Sequence, residues 1–194
     1  YVNAGHTLPA IDLTVSDGSL TGQDSDTPTV TLVNDPPIGV NDTIPVTEDT
    51  SVTRNVLGKD TDAEGDPLTI TAASIDTDGN GTPDPLVLGT PTAIVDGSGK
   101  PIGTITVDAN GDVTFTPAAD YTGPVPSLTY TPNDGMTDGT SATVSFGPIA
   151  PVNDAPTIDV TASAFTEDAA GTVAGAVAGT FTTHDQDGDT LTVG

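Results

Sequence analysis

Along most of this chain, apolar and polar residues take turns one for one. Ile11-Asp12-Leu13-Thr14-Val15 and Thr29-Val30-Thr31-Leu32-Val33 show the pattern early. Ile102-Gly103-Thr104-Ile105-Thr106-Val107, Val113-Thr114-Phe115-Thr116, Leu128-Thr129-Tyr130 and Ala142-Thr143-Val144-Ser145-Phe146 show it later. A strand points successive side chains to opposite faces, so a period of two predicts sheets with one face buried and one in water. The runs are short, rich in Thr and Val, and bounded by Gly, Asp, Asn and Pro, as strand ends require. Asp108-Ala109-Asn110-Gly111-Asp112 separates two of them, and its Asn-Gly pair tolerates positive φ, which predicts a hairpin turn. Most of the 17 prolines fall at run boundaries, where a missing N–H costs least. Only Ala169 to Ala178 leans towards helix, through its alanines. Gly171, Gly175 and two β-branched valines within it argue for strand or loop instead.

Short, regularly spaced strands with almost no helix predict an all-β fold of tandem Greek-key β-sandwich modules, immunoglobulin- or cadherin-like in layout. The aliphatic residues, with Phe115, Tyr121, Tyr130 and Phe146, would supply a modest core.

The chain also repeats itself. Val33-Asn34-Asp35-Pro36-Pro37 returns 119 residues later as Val152-Asn153-Asp154-Ala155-Pro156, and Thr47-Glu48-Asp49 returns at the same spacing as Thr166-Glu167-Asp168. Asp60-Thr61-Asp62-Ala63-Glu64-Gly65-Asp66 has an echo in Asp185-Gln186-Asp187-Gly188-Asp189. Ser16-Asp17-Gly18 corresponds to Asn133-Asp134-Gly135, and Tyr1 to Tyr121. These matches predict the C-terminal part of one repeat over 1–35, a complete β-sandwich repeat over 36–152, and the N-terminal part of the next over 153–194. The whole would be a window on a longer array, with neighbouring repeats of the same protein as partners. A second arrangement is open to the same residues: head-to-tail self-association, in which the tail segment of one copy completes the head segment of another.

Charge narrows the partners. With 28 Asp plus Glu against 3 Lys plus Arg, the net charge is −25, and Arg54, Lys59 and Lys100 are the only strong bases. Nothing here could neutralise phosphates or an anionic bilayer surface, so nucleic acid and membrane binding are excluded. No segment is apolar enough for membrane insertion. The chain has no cysteine and therefore no disulfide, which leaves metal as the staple for a small extracellular domain. Catalysis finds little support: His6 and His184 lie in different incomplete repeats, Cys is absent, and at 4% the aromatics are too few for sugar-binding platforms. No enzyme is expected.

The recurring elements are carboxylates, and carboxylates crowded by tight turns suit calcium, which takes about six to eight oxygens at about 2.3–2.6 Å. Asp60, Asp62 and Asp66 precede a strand at Leu68-Thr69-Ile70; Asp185, Asp187 and Asp189 precede one at Leu191-Thr192-Val193. Asn34, Asp35, Glu48, Asp60, Asp62, Asp66 and Asp134 could converge at one end of the sandwich, and Asn153, Asp154 and Glu167 are their counterparts in the next repeat. Asp76-x-Asp78-x-Asn80-Gly81-x-x-Asp84 is a separate loop. Its spacing matches the first half of an EF-hand, but Val87 stands where the closing Glu would be. It looks more like the loops of thrombospondin-type calcium repeats. All these residues are candidate metal ligands, with calcium as the expected cofactor; the bland reading of each is a solvated acidic turn or Asx-Pro linker.

The order Val-Asn-Asp-x-Pro, Thr-Glu-Asp, the Asp-rich loop with Gly-Asp-x-Leu-Thr, then Asn-Asp-Gly resembles the cadherin-like and bacterial immunoglobulin-like repeats of giant RTX-type surface adhesins. That resemblance covers nearly the whole chain. It implies interdomain calcium held by Asn34 and Asp35 or Asn153 and Asp154, by Glu48 or Glu167, and by Asp60 and Asp62 or Asp185 and Asp187. The Gly-Gly-x-Gly-x-Asp nonapeptides of RTX β-rolls are absent. The expected function is a structural extender repeat of a bacterial extracellular adhesin or biofilm-matrix filament, rigidified by calcium and located at the cell surface or in secreted matrix. The alternative is a calcium-dependent glycan- or protein-binding module.

Overall fold

The computed structural model describes residues 10–26, 33–162 and 179–192. Strand β1 (Ile11–Ser16) pairs antiparallel with β2 (Thr21–Asp26) in a two-stranded hairpin. The sandwich follows, from β3 (Asp42–Ile44) to β11 (Ala142–Phe146). A second free hairpin joins β12 (Thr157–Ala162) and β13 (Gly179–His184). No α-helix occurs among the described residues; one 3₁₀ turn spans Leu57–Lys59.

Within the sandwich, β4 is Val52–Asn55, β5 Thr69–Ile75, β6 Asp84–Pro85, β7 Thr92–Val95, β8 Pro101–Val107, β9 Asp112–Pro117 and β10 Leu128–Asn133. One sheet runs in the order β3-β11-β10-β5-β6 and the other β4-β9-β8-β7. Alternation in sequence becomes alternation in burial. Leu128, Tyr130 and Pro132 of β10 point inwards, and Val113, Phe115 and Pro117 of β9 meet them from the other sheet. The core takes Ile44, Ile70, Ile75, Leu128, Tyr130 and Val144 from the first sheet and Ile94, Ile105, Val107, Val113 and Phe115 from the second. Phe115 and Phe146 bridge the layers with ring centroids 5.1 Å apart, in tilted geometry. The hairpin predicted at Asn110-Gly111 joins β8 to β9, with Gly111 at φ 92°.

One pairing decides where the site residues go. Among the described strands every pair is antiparallel except β3 with β11, where Asp42, Thr43 and Ile44 lie beside Val144, Ser145 and Phe146 in parallel. The chain leaving β3 therefore travels with the chain leaving β11. Thr47 and Ala150 form a further parallel bridge, and Glu48 N–H donates to Ala150 O at 2.9 Å.

Hairpin β1–β2 is exposed throughout, with Ile11, Leu13 and Val15 on one face. Under the spacing that relates Ser16-Asp17-Gly18 to Asn133-Asp134-Gly135, those three correspond to Leu128, Tyr130 and Pro132, the buried face of β10. The hairpin thus has the pattern of a last hairpin, and no sheet among the described residues faces it. Of the expected strands, residues 29–32 and the stretch 169–178 lie outside the described residues, and Val33 is in no strand. Leu191-Thr192 is not a strand either: no described strand lies beside it as β10 lies beside β5.

Candidate metal centre

The parallel pairing carries Glu48 to the exit linker, not to the entry linker. Glu48 is only 3% exposed, and its Oε2 accepts a hydrogen bond from Val152 N at 2.9 Å. Two residues on, Asp154 N donates to Asp187 Oδ2 at 2.7 Å, which ties the linker to the loop after β13. Carboxylate oxygens of Glu48, Asp154 and Asp187 consequently lie within 4.8 Å of one another. Three separate stretches of chain supply them: the turn after β3, the linker, and the Asp-rich echo.

Asp154 belongs to a second triad as well. Its carboxylate and those of Asp49 and Asp120 also lie within 4.8 Å of one another. Asp120 N donates to Asp49 Oδ1 at 3.2 Å, and these two aspartates are the only described non-glycine residues with positive φ, 55° and 56°. Burial pushes the Asp154 carboxyl above its ordinary pKa, reinforced by the charges of Asp120, Asp187, Asp49 and Glu48. Its Oδ2 is buried with no hydrogen-bond donor. Among the described residues the one ion pair, Lys59 with Asp42, is elsewhere, so no side-chain cation answers this cluster. A buried, unpartnered oxygen among hard carboxylate donors, with no sulfur or imidazole in the set, fits an oxygen-seeking divalent cation such as calcium.

The entry linker repeats half of this arrangement. Asp35 N donates to Glu64 Oε2 at 3.2 Å as Asp154 N does to Asp187, and Asp66 N donates to Asp62 Oδ1 at 3.0 Å as Asp189 N does to Asp185 Oδ1 at 2.9 Å. The echo therefore aligns Asp62 with Asp185, Glu64 with Asp187 and Asp66 with Asp189, two residues away from pairing Asp60 with Asp185. Asp62 Oδ2, like Asp154 Oδ2, is buried and unpartnered. Asn34 Nδ2 donates to Asp134 Oδ2 at 2.7 Å, while Met136 N and Thr137 N occupy Asp134 Oδ1. The backbone N–H of Thr137, then the Asn34 amide, hold Asp134 below its ordinary pKa.

The expected convergence of Asn34, Asp35, Glu48, Asp60, Asp62, Asp66 and Asp134 at one end thus needs two corrections. Glu48 sits at the other linker, because β3 runs parallel to β11. Asp60 turns to the core edge, where it accepts from the Tyr130 hydroxyl at 3.0 Å and from Val40 N at 2.7 Å. Asn153 Nδ2 donates to Asp154 O at 3.2 Å. Glu167 lies outside the described residues. Asp49 and Asp120 were not among the candidate residues, although Asp49 stands inside the repeated Thr-Glu-Asp motif; Asp120 carried no sequence signal. Glu64 was visible in its motif but not singled out.

The separate loop between β5 and β6 does bring Asp76, Asp78 and Asp84 within ligand reach of one another. Its carboxylates are already engaged. Asp76 accepts from Gly79 N and Gly81 N, each at 2.8 Å, and Asp84 Oδ2 accepts from Thr77 N at 3.1 Å. Asn80 caps Thr82 N and donates to Asp78. Burial works against the charge on Asp76, yet these backbone donors prevail and lower its pKa.

No helix among the described residues is long and apolar enough to cross a membrane. No curated protein matches the chain. Residues 34–147, more than half of the chain, match the family described as Bacterial Ig domain, and that span runs from the entry linker to the end of β11. Two facing antiparallel-rich sheets, an alternating core and this match agree: the chain belongs to the bacterial Ig domain family.

Proposed function

We propose that this chain is a structural extender repeat of an extracellular bacterial adhesin or matrix filament, made rigid by calcium at the repeat junction. Bacterial Ig-like domains are commonly extracellular or surface-exposed, typically non-enzymatic, adhesion-type modules, which supports the setting. The observation that carries the reading is the meeting of Glu48, Asp154 and Asp187. A cation there would bind the sandwich, the linker and the following hairpin at once, and would replace mutual repulsion with shared coordination. The repeated half-site at Asp35, Asp62 and Asp66 supports a division into 1–35, 36–152 and 153–194. The chain's own residues supply charge and position; calcium, when bound, supplies the positive charge that fixes the linker angle. Because metal binding releases free energy into the folded state, export unfolded and folding outside in calcium follows naturally.

The test is calorimetric calcium titration of the chain, with thermal melts and small-angle scattering in calcium and in chelator. The expected outcome is calcium binding, a higher melting temperature, and a longer, stiffer particle in calcium. A melting temperature and scattering profile indifferent to chelator would sink the proposal.

A further inference from the structure

We infer that Asn80 is a site of spontaneous deamidation, through a cyclic imide formed with Gly81, and that the fold shields Asn110 from the same reaction. The chain holds two Asn-Gly pairs, Asn80-Gly81 and Asn110-Gly111. In such a pair the glycine nitrogen gives its proton to water and bonds to the asparagine Cγ. The Cγ–Nδ2 bond breaks, and the side-chain nitrogen takes up a proton and leaves as ammonia. Water then opens the ring at either carbonyl, giving aspartate or isoaspartate. One water is consumed and one ammonia released. Glycine favours the step because it has no Cβ to crowd the ring or restrict its closure.

The two pairs sit in different surroundings. Asn80 and Gly81 are exposed in the loop between β5 and β6, and a Cβ on Gly81 would meet nothing within 4 Å. Thr82 N donates to Asn80 Oδ1 at 2.7 Å. That bond folds the side chain over the Gly81 peptide and aims a donor at the oxygen that becomes negative as the nitrogen attacks. Against attack stands the bond from Gly81 N to Asp76 Oδ2 at 2.8 Å, at a surface where water can replace it. Asn110 is held more firmly. Gly111 is buried, and Leu57 Cγ lies 2.7 Å from where its Cβ would be. Gly111 N donates to Asp108 O at 3.0 Å, and Asn110 O accepts from Asn55 Nδ2 at 2.9 Å. Closing a ring there means opening the β8–β9 turn.

Deamidation would also change the loop. Asn80 Nδ2 donates to Asp78 Oδ2 at 2.9 Å. An oxygen in its place sets two carboxylates against one another, in a loop that already gathers Asp76, Asp78 and Asp84. The loop therefore loosens as the protein ages, while the turn at Asn110 keeps its shape.

The test is to incubate the native chain at mildly alkaline pH in chelator, where calcium plays no part, and to map its peptides by mass spectrometry. In the folded chain Asn80 should convert at least about tenfold faster than Asn110, because the buried turn must first open locally. In denaturant the two should react at similar rates. Equal rates in the folded chain, faster reaction at Asn110, or an Asn80 that reacts only in denaturant would each overturn the proposal. Asn80→Asp should speed hydrogen exchange at Gly79, Gly81 and Thr82; unchanged exchange would overturn the loosening.

Discussion

Tyr130 has no exposed surface, and its hydroxyl lies within hydrogen-bond reach of both Asp60 oxygens and of Val56 O. With one proton to give, the hydroxyl donates to the charged acceptor, since charge-assisted bonds are the stronger ones. Burial, then the Asp60 carboxylate, pushes the tyrosine pKa far up, so it stays protonated. Tyr130→Phe keeps the ring in the core but strips Asp60 of one of its two donors in a desolvated place, leaving Val40 N. We expect a loss of about 1–3 kcal/mol in denaturant unfolding; a variant as stable as the native chain would show Asp60 to be watered from outside. Tyr130 was legible in sequence as a core aromatic. Its polar partner was not, because 70 residues separate them and only the fold of β10 against the Leu57–Lys59 turn brings them together. The same holds for Asp120, whose role depends on a turn packed against Asp49.

At the scale of elements, the strands that alternate cleanly, such as β9 and β10, were readable because their inward faces are complete. Strand β3 was not: it has three residues, of which only Ile44 is buried. Strand β7 carries Ala93-Ile94-Val95 together and has no strict period. The β8–β9 hairpin was predicted from Asn110-Gly111, and its geometry makes a sharp prediction. Gly111 has φ 92°, and a Cβ there would fall 2.7 Å from Leu57 Cγ. Gly111→Ala would combine a left-handed backbone cost of about 1–2 kcal/mol with displacement of Leu57. The expected result is a clear fall in denaturation midpoint with an unchanged m value, since the unfolded chain is hardly altered. No fall would mean that the turn can flip to another type.

On the scale of the whole molecule, a net charge of −25 and pKa shifts of both signs set the pH profile. Burial above all raises Asp60 and Asp154, so without metal they bind protons more readily folded than unfolded, and stability rises as pH falls through their folded values. Asp134 and Asp138 are lowered by their hydrogen bonds, from Thr137 N and Thr71 Oγ1 first, and their contribution is present above the ordinary 3.8 and lost as pH falls through their folded values. Thermal melts in chelator over about pH 3 to 8 should therefore show greatest stability in mild acid, with a decline on both sides. Calcium should lift the neutral side more than the acid side; a chelator profile still rising at neutral pH would contradict this balance. By itself the sequence determined an all-β chain, its turn chemistry, its repeats and the acidic motifs, because each of these is local and a short window suffices to show it. Only the tertiary structure decided which carboxylates meet. The parallel pairing of β3 with β11 joins residues about a hundred positions apart and sends Glu48 to Asp154 and Asp187, and no local pattern encodes that choice of strand neighbour.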